Sequence, residues 1–123
     1  MKEIGSQYTI CEMSPSNPPV THVQPGEQIK IRTVDCFHGC LRRETDTLGE
    51  LPWNTINPCT GPIFVDGAVP GDILKIEIDE IALDKRGITI QDKGDLLKYG
   101  IEQADKSMYL NISNEEILIG EHL

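Results

Sequence analysis

Eleven glycines and eight prolines lie spread along the 123 residues rather than gathered into one linker. Each proline removes a backbone donor and fixes φ, and each glycine weakens a helix interior. Few windows therefore sustain a 3.6-residue period, and the chain reads as β. Two windows alternate with period two. Over Glu27–Thr33, Ile29 and Ile31 share one face while Lys30 and Arg32 take the other. Over Ile73–Ile81, Leu74, Ile76 and Ile78 oppose Lys75, Glu77 and Asp79. Both patterns predict half-buried strands. Further short strands are predicted at Tyr8–Cys11, Pro62–Val65, Gly87–Gln91, Ser107–Ile112 and Ile117–Ile119. The one short helical turn falls at Asp95–Tyr99, stopped by Gly100. Many short strands at this spacing predict a mainly β fold, a compact barrel or sandwich-like single domain over residues 1–123 with at most one short helix.

A short pattern occurs twice. QPGEQIKI at 24–31 and VPGDILKI at 69–76 share Pro-Gly-acid followed by an aliphatic residue, Lys and Ile. Proline presets the first corner of a turn and glycine supplies positive φ at the second, so each copy predicts a turn that launches a strand. Duplication and a commonplace strand opening both account for it.

Charge narrows the function classes. Eleven basic against twenty acidic residues give a net charge of −9, a field that repels phosphate backbones and anionic headgroups, so neither nucleic acid nor a membrane surface is expected as a partner. No apolar run approaches the roughly 20 residues that cross a bilayer. The opening MKEIGSQYTI lacks a signal peptide's apolar stretch, and a cytoplasmic location is expected. Cys11, Cys36, Cys40 and Cys59 are then expected as free thiols. A structural zinc on Cys36, Cys40 and Cys59 is the alternative, with no second closely spaced pair to complete four ligands.

Two stretches concentrate polar chemistry. TVDCFHGC, residues 33–40, brings Asp35, Cys36 and His38 within four positions just past a predicted strand end. A carboxylate and an imidazole at this spacing suit a shared divalent metal or a positioned water, and equally suit a polar loop with satisfied side chains. The second stretch, Trp53–Asp72, holds Asn54, Asn57, Thr60 and Asp66 on a backbone stiffened by proline and glycine. Such a corridor suits a small polar ligand or a tightly turned corner. Trp53 reads as a core or interface anchor, His22 as a polar strand residue, and His122 as a tail residue.

The run NPCTGPIFVDGAVPGDILKIEI, Asn57–Ile78, resembles the most characteristic stretch of the acetamidase/formamidase family, and TVDCF and LPWNTIN precede it in the family's order. The resemblance covers roughly Val20 to Ile81 and thins toward the C-terminus. It implies a mainly β protein that hydrolyses short aliphatic amides to a carboxylate and ammonia, with assistance from a divalent metal such as zinc. By position, Asp35 matches an acidic residue of the family, Asn57 a His/Asn position before proline, Asp66 a glutamate and Asp72 the acid of Pro-Gly-Asp.

The expected site residues follow. Asp35 and Asp66 are expected as catalytic groups, Asn57 and Thr60 as substrate contacts, and Asp35 with His38 as metal ligands. Two departures stand out: Asp66 is one methylene shorter than glutamate, and Val69 replaces a second glutamate. Family members are also much longer, so the chain resembles their N-terminal part alone. The expected partners are a small amide and either further copies of the chain or a complementing C-terminal chain. A non-catalytic β module for oligomerisation or small-ligand binding is the alternative.

Overall fold

The computed structural model describes residues 1–91, 97–100, 106–113 and 116–117. Among these residues it is mainly β, with helix confined to single turns. The backbone divides into two compact units. One holds Met1–Cys40 and Pro52–Lys75, the other Leu41–Leu51 and Ile76–Leu123.

Three short strand pairs build the first unit. Strand β1 (Lys2–Ile4) runs parallel to β4 (Ile29–Ile31), β2 (Thr9–Ile10) antiparallel to β5 (Cys59–Thr60), and β3 (Thr21–Val23) parallel to β6 (Ile63–Val65). Loop hydrogen bonds lengthen these ladders: Arg32 N–H donates to Ile4 O, Val20 N–H to Pro62 O and Asp66 N–H to Val23 O. Ile4 and Val23 are the buried apolar residues of this unit among those described. Glu3 lies opposite Lys30 in the β1–β4 register and also meets the Arg32 guanidinium. That hydrogen bond, ahead of the two cations' fields, holds the Glu3 carboxyl below its ordinary range.

The second unit centres on β7 (Arg86–Gln91), β8 (Lys106–Ser113) and β9 (Glu116–Ile117), an antiparallel sheet in that order. A tight loop at 42–46 is fastened to it, because the buried Ser107 Oγ donates to Asp46 O at 2.7 Å. Leu41, Leu48 and Leu51 supply the buried apolar side chains.

The strands predicted near Tyr8–Cys11, Pro62–Val65, Gly87–Gln91 and Ser107–Ile112 form within a residue or two of those bounds. Leu97 is helical and Gly100, at φ 73°, closes that turn by donating to Leu97 O. Asp95, Leu96, Leu118, Ile119 and His122 lie outside the described residues. No barrel closes among the described strands, whose pairings form small separate sheets.

One strand expectation is corrected. Ile73–Ile81 carries the alternating pattern but joins no ladder among the described residues, and Ile73, Ile76 and Ile78 are 95%, 80% and 73% exposed. Alternation specifies which face would be buried; it supplies no neighbouring strand to bury it.

Candidate functional site

The loop after β4 is shaped by Asp35. Its Oδ1 accepts from Phe37 N–H at 2.8 Å and its Oδ2 from Gly39 N–H at 3.0 Å, while its carbonyl accepts from His38 N–H. A short carboxylate closing onto the following backbone is the usual way aspartate organises a turn. His38 is thereby held at φ 56°.

Asn57, from the second chemically rich stretch, is fastened to this loop. Its N–H donates to Cys36 O at 2.6 Å. Three residues on, Thr60 Oγ1 donates to Arg32 O at 2.9 Å, just ahead of the loop. Asp35, His38, Asn57 and Thr60 are thus gathered on one continuous piece of hydrogen-bonded backbone.

Asn57 also has a left-handed backbone, φ 52°. Among the described residues, His38 and Asn57 are the non-glycine positions with positive φ. Both fall among the expected site residues, and such conformations persist only where surrounding contacts enforce them. Asparagine tolerates this region better than most side chains, whereas a β-branched residue does not. Asn57→Val is therefore expected to destabilise the fold by roughly 1–2 kcal/mol and Asn57→Gly by far less. Urea midpoints for the two variants check this, and equal losses would show that backbone conformation is not what asparagine supplies.

Cys36 lies beside this backbone. Partial desolvation of this exposed side chain, reinforced by the Asp35 charge, shifts its thiol above the ordinary range.

Asp66 belongs to a different cluster. In the β3–β6 register His22 stands opposite Phe64, and period two places Gln24 and Asp66 on that same side of their chains. His22 Nδ1 lies 2.9 Å from Asp66 Oδ1, and Gln24 Nε2 donates to Asp66 Oδ2 at 2.6 Å. The His22 and Phe64 rings meet at 4.9 Å between centroids, tilted by 42°. Behind the imidazole, Lys2 Nζ donates to His22 O at 2.6 Å and pairs with Glu27 Oε1 at 3.2 Å.

A half-exposed imidazole–carboxylate hydrogen bond of this kind adds little to stability. Its consequence is orientation. With Nδ1–H given to Asp66, the outer nitrogen Nε2 is left as a base. His22 is a strand residue, as its polarity predicts, and also a functional candidate that the sequence reading passed over. The corridor therefore has two ends, with Asn57 bound to the Asp35 loop and Asp66 bound to His22.

The remaining candidates separate clearly. Trp53, 58% exposed in a single 3₁₀ turn with Asn54 and Thr55, is not a core anchor. All four cysteines are free and exposed. Among the described residues no three His, Cys, Asp or Glu side chains gather as a metal would require, which leaves the Cys36–Cys40–Cys59 zinc reading without support. Asp35 and His38 have no third such side chain beside them among the described residues, so they do not make up a metal centre by themselves. No described helix is long and apolar enough to cross a membrane.

Residues 7–110 match the Acetamidase/Formamidase family. No curated protein sequence matches the chain at a significant level. Among solved structures, an acetamidase from Bacillus halodurans is 29% identical with a TM-score of 0.91, over 98% of this chain and 41% of its own. A predicted acetamidase/formamidase from the thermophile Thermoanaerobacter tengcongensis is 31% identical with a TM-score of 0.88, over 99% of this chain and 40% of its own. The chain thus spans about two fifths of the length of these relatives. It belongs to the acetamidase/formamidase family.

Proposed function

We propose that the chain supplies the N-terminal part of an amide hydrolase that converts short aliphatic amides, of the formamide and acetamide type, to carboxylate and ammonia. The family match over residues 7–110 carries this reading. Amide hydrolysis requires a polarised carbonyl, an activated water and a proton for the departing nitrogen. His22 is the group we assign to the water: Nε2 takes a proton as the water oxygen bonds to the carbonyl carbon. The imidazolium then returns a proton to the nitrogen as the C–N bond breaks and ammonia leaves. Asp66 fixes the tautomer and balances the transient charge. Asn57, with a planar amide on an enforced backbone, is assigned to the substrate carbonyl together with Thr60.

Asp35 holds the loop to which Asn57 is fastened, and its part in the reaction is proposed to be positional. Metal assistance is proposed only for an assembled site that draws ligands from beyond Asp35 and His38, and no step above runs through a metal. Ammonia release from formamide and acetamide tests the reading. We expect turnover when the chain is combined with a polypeptide carrying the rest of the family fold, and little from the chain by itself. No release from the combination would remove the enzymatic reading. It would leave the non-catalytic β module, which the exposed apolar residues from Ile73 onward favour.

A further inference from the structure

Five residues close into a ring that begins and ends on His22. Lys2 Nζ donates to His22 O at 2.6 Å and pairs with Glu27 Oε1 at 3.2 Å. Glu27 Oε2 accepts from Gln24 N–H at 2.9 Å, and Gln24 Nε2 donates to Asp66 Oδ2 at 2.6 Å. Asp66 Oδ1 lies 2.9 Å from His22 Nδ1 and completes the circuit. Both the main chain and the imidazole of His22 are thereby held.

The second copy of the repeated pattern lacks this link. At Val69–Asp72 the same Pro-Gly turn forms, with Val69 N–H donating to Asp72 Oδ2 at 2.9 Å and Gly71 at φ 103°. Val69 stands where the first copy has Gln24, and an isopropyl group has no donor to give a carboxylate. The first turn is the one equipped to hold an acid 42 positions away.

The held imidazole is open to solvent. With Nδ1 against Asp66, Nε2 lies on the opposite edge of the ring, and the side chain is 58% exposed. Phe64, 45% exposed, presents aromatic surface beside it, 4.9 Å away between centroids. A base next to an apolar platform suffices for an acyl compound whose leaving group needs no assistance. An amide nitrogen must be protonated to depart, whereas an aryl ester has a more electrophilic carbonyl and releases a stable aryl oxide.

We propose that this chain by itself hydrolyses small neutral aryl esters of short carboxylic acids at the His22–Asp66 pair, with Phe64 holding the aryl ring. Nε2 takes a proton from water as the water oxygen bonds to the acyl carbon. The ester C–O bond breaks, the aryl oxide leaves with its electron pair, and the imidazolium and the new carboxylic acid each release a proton to solvent. Asp66 accepts Nδ1–H throughout and balances the imidazolium. The net charge of −9 admits a neutral ester and repels both anionic products. His22 is the same base here as in amide hydrolysis, and the ester activity rests on that reading; it needs neither Asn57 nor the return of a proton to a leaving nitrogen.

Release of para-nitrophenolate from para-nitrophenyl acetate by the chain alone tests this, with the four exposed thiols capped by iodoacetamide so that they cannot take the acetyl group. Many turnovers per chain are expected, saturating with ester, at a rate roughly tenfold or more above that of free imidazole at equal concentration. His22→Asn, whose NH₂ can replace Nδ1–H against Asp66 and so spare the strand pair, is expected to remove the activity. Phe64→Leu is expected to raise KM several-fold with kcat little changed. A rate no faster than free imidazole, full activity in His22→Asn, or an unchanged KM in Phe64→Leu would each overturn the proposal. An inert ester beside amide turnover by the combined polypeptides would remove this activity alone. Ester turnover beside an inert amide would uphold it and remove the amidase reading.

Discussion

Asp66→Asn is expected to lower kcat for amide hydrolysis by the assembled enzyme by about 10²–10⁴-fold, the range over which a positioned acid–base group acts. The substitution keeps the shape of the side chain and gives Gln24 an amide to face. It removes the anion that accepts from His22 Nδ1–H at 2.9 Å. An asparagine can present its NH₂ to Nδ1 and so favour the tautomer with the proton on Nε2, where a base is needed. His22→Ala is expected to cost a similar factor. Because the two residues act as one unit, the double variant should be little worse than either single one. KM should change less than kcat, since neither group is assigned to hold the substrate. Losses that multiply in the double variant would show that the imidazole and carboxylate act separately.

The parts of the fold that depend on local patterning were legible in the sequence. The short strands around Ile29, Ile63, Ile88 and Met108 lie where alternation and turn residues place them. The Pro-Gly turns at 24–27 and 69–72 have the backbone their residues dictate. Partner choice was not legible, because period two fixes faces and says nothing about neighbours. The same ignorance hid the His22–Asp66 pair. The two residues are 44 positions apart and meet only because β3 lies parallel to β6 with His22 opposite Phe64. The Asp35 loop was legible as a chemically dense segment, while its attachment to Asn57 through Cys36 O depends on a backbone contact that no side chain announces.

The strand reading of Ile73–Ile81 shows the other side of that limit. Leu74, Ile76 and Ile78 alternate as strand residues do, yet the segment joins no ladder among the described residues. Alternation over Leu74–Ile78 therefore predicted a face and left its neighbour unspecified.

The second large effect concerns the other unit, where Asp46 is expected to set the acid limit of stability. Its Oδ2 accepts from Arg42 N–H at 2.7 Å and Arg43 N–H at 2.9 Å, its Oδ1 accepts from Arg43 Nε at 2.8 Å, and its backbone carbonyl takes the Ser107 hydroxyl. The Arg42 N–H bond is the leading reason the carboxyl lies below its ordinary range; burial opposes this, and Arg43 adds to it. A carboxyl whose folded pKa is depressed binds protons more readily in the unfolded chain. Its contribution is therefore complete above the unfolded value of about 3.9 and drains away as pH falls through the folded one. Glu27, held low first by the Gln24 N–H and then by Lys2, and Glu3 act in the same direction. Asp46→Ala leaves the Arg42 and Arg43 backbone donors and the Arg43 guanidinium without their acceptor, and is expected to lower Tm at pH 7 by on the order of 5–10 °C. Urea midpoints at pH 7, 5 and 3 should show the gap between wild type and Asp46→Ala narrowing only at the lowest value, because protonation there removes from the wild type what the substitution has already removed. A gap that stays constant from pH 7 to 3 would mean that the Asp46 charge does not hold the 42–46 loop on the sheet.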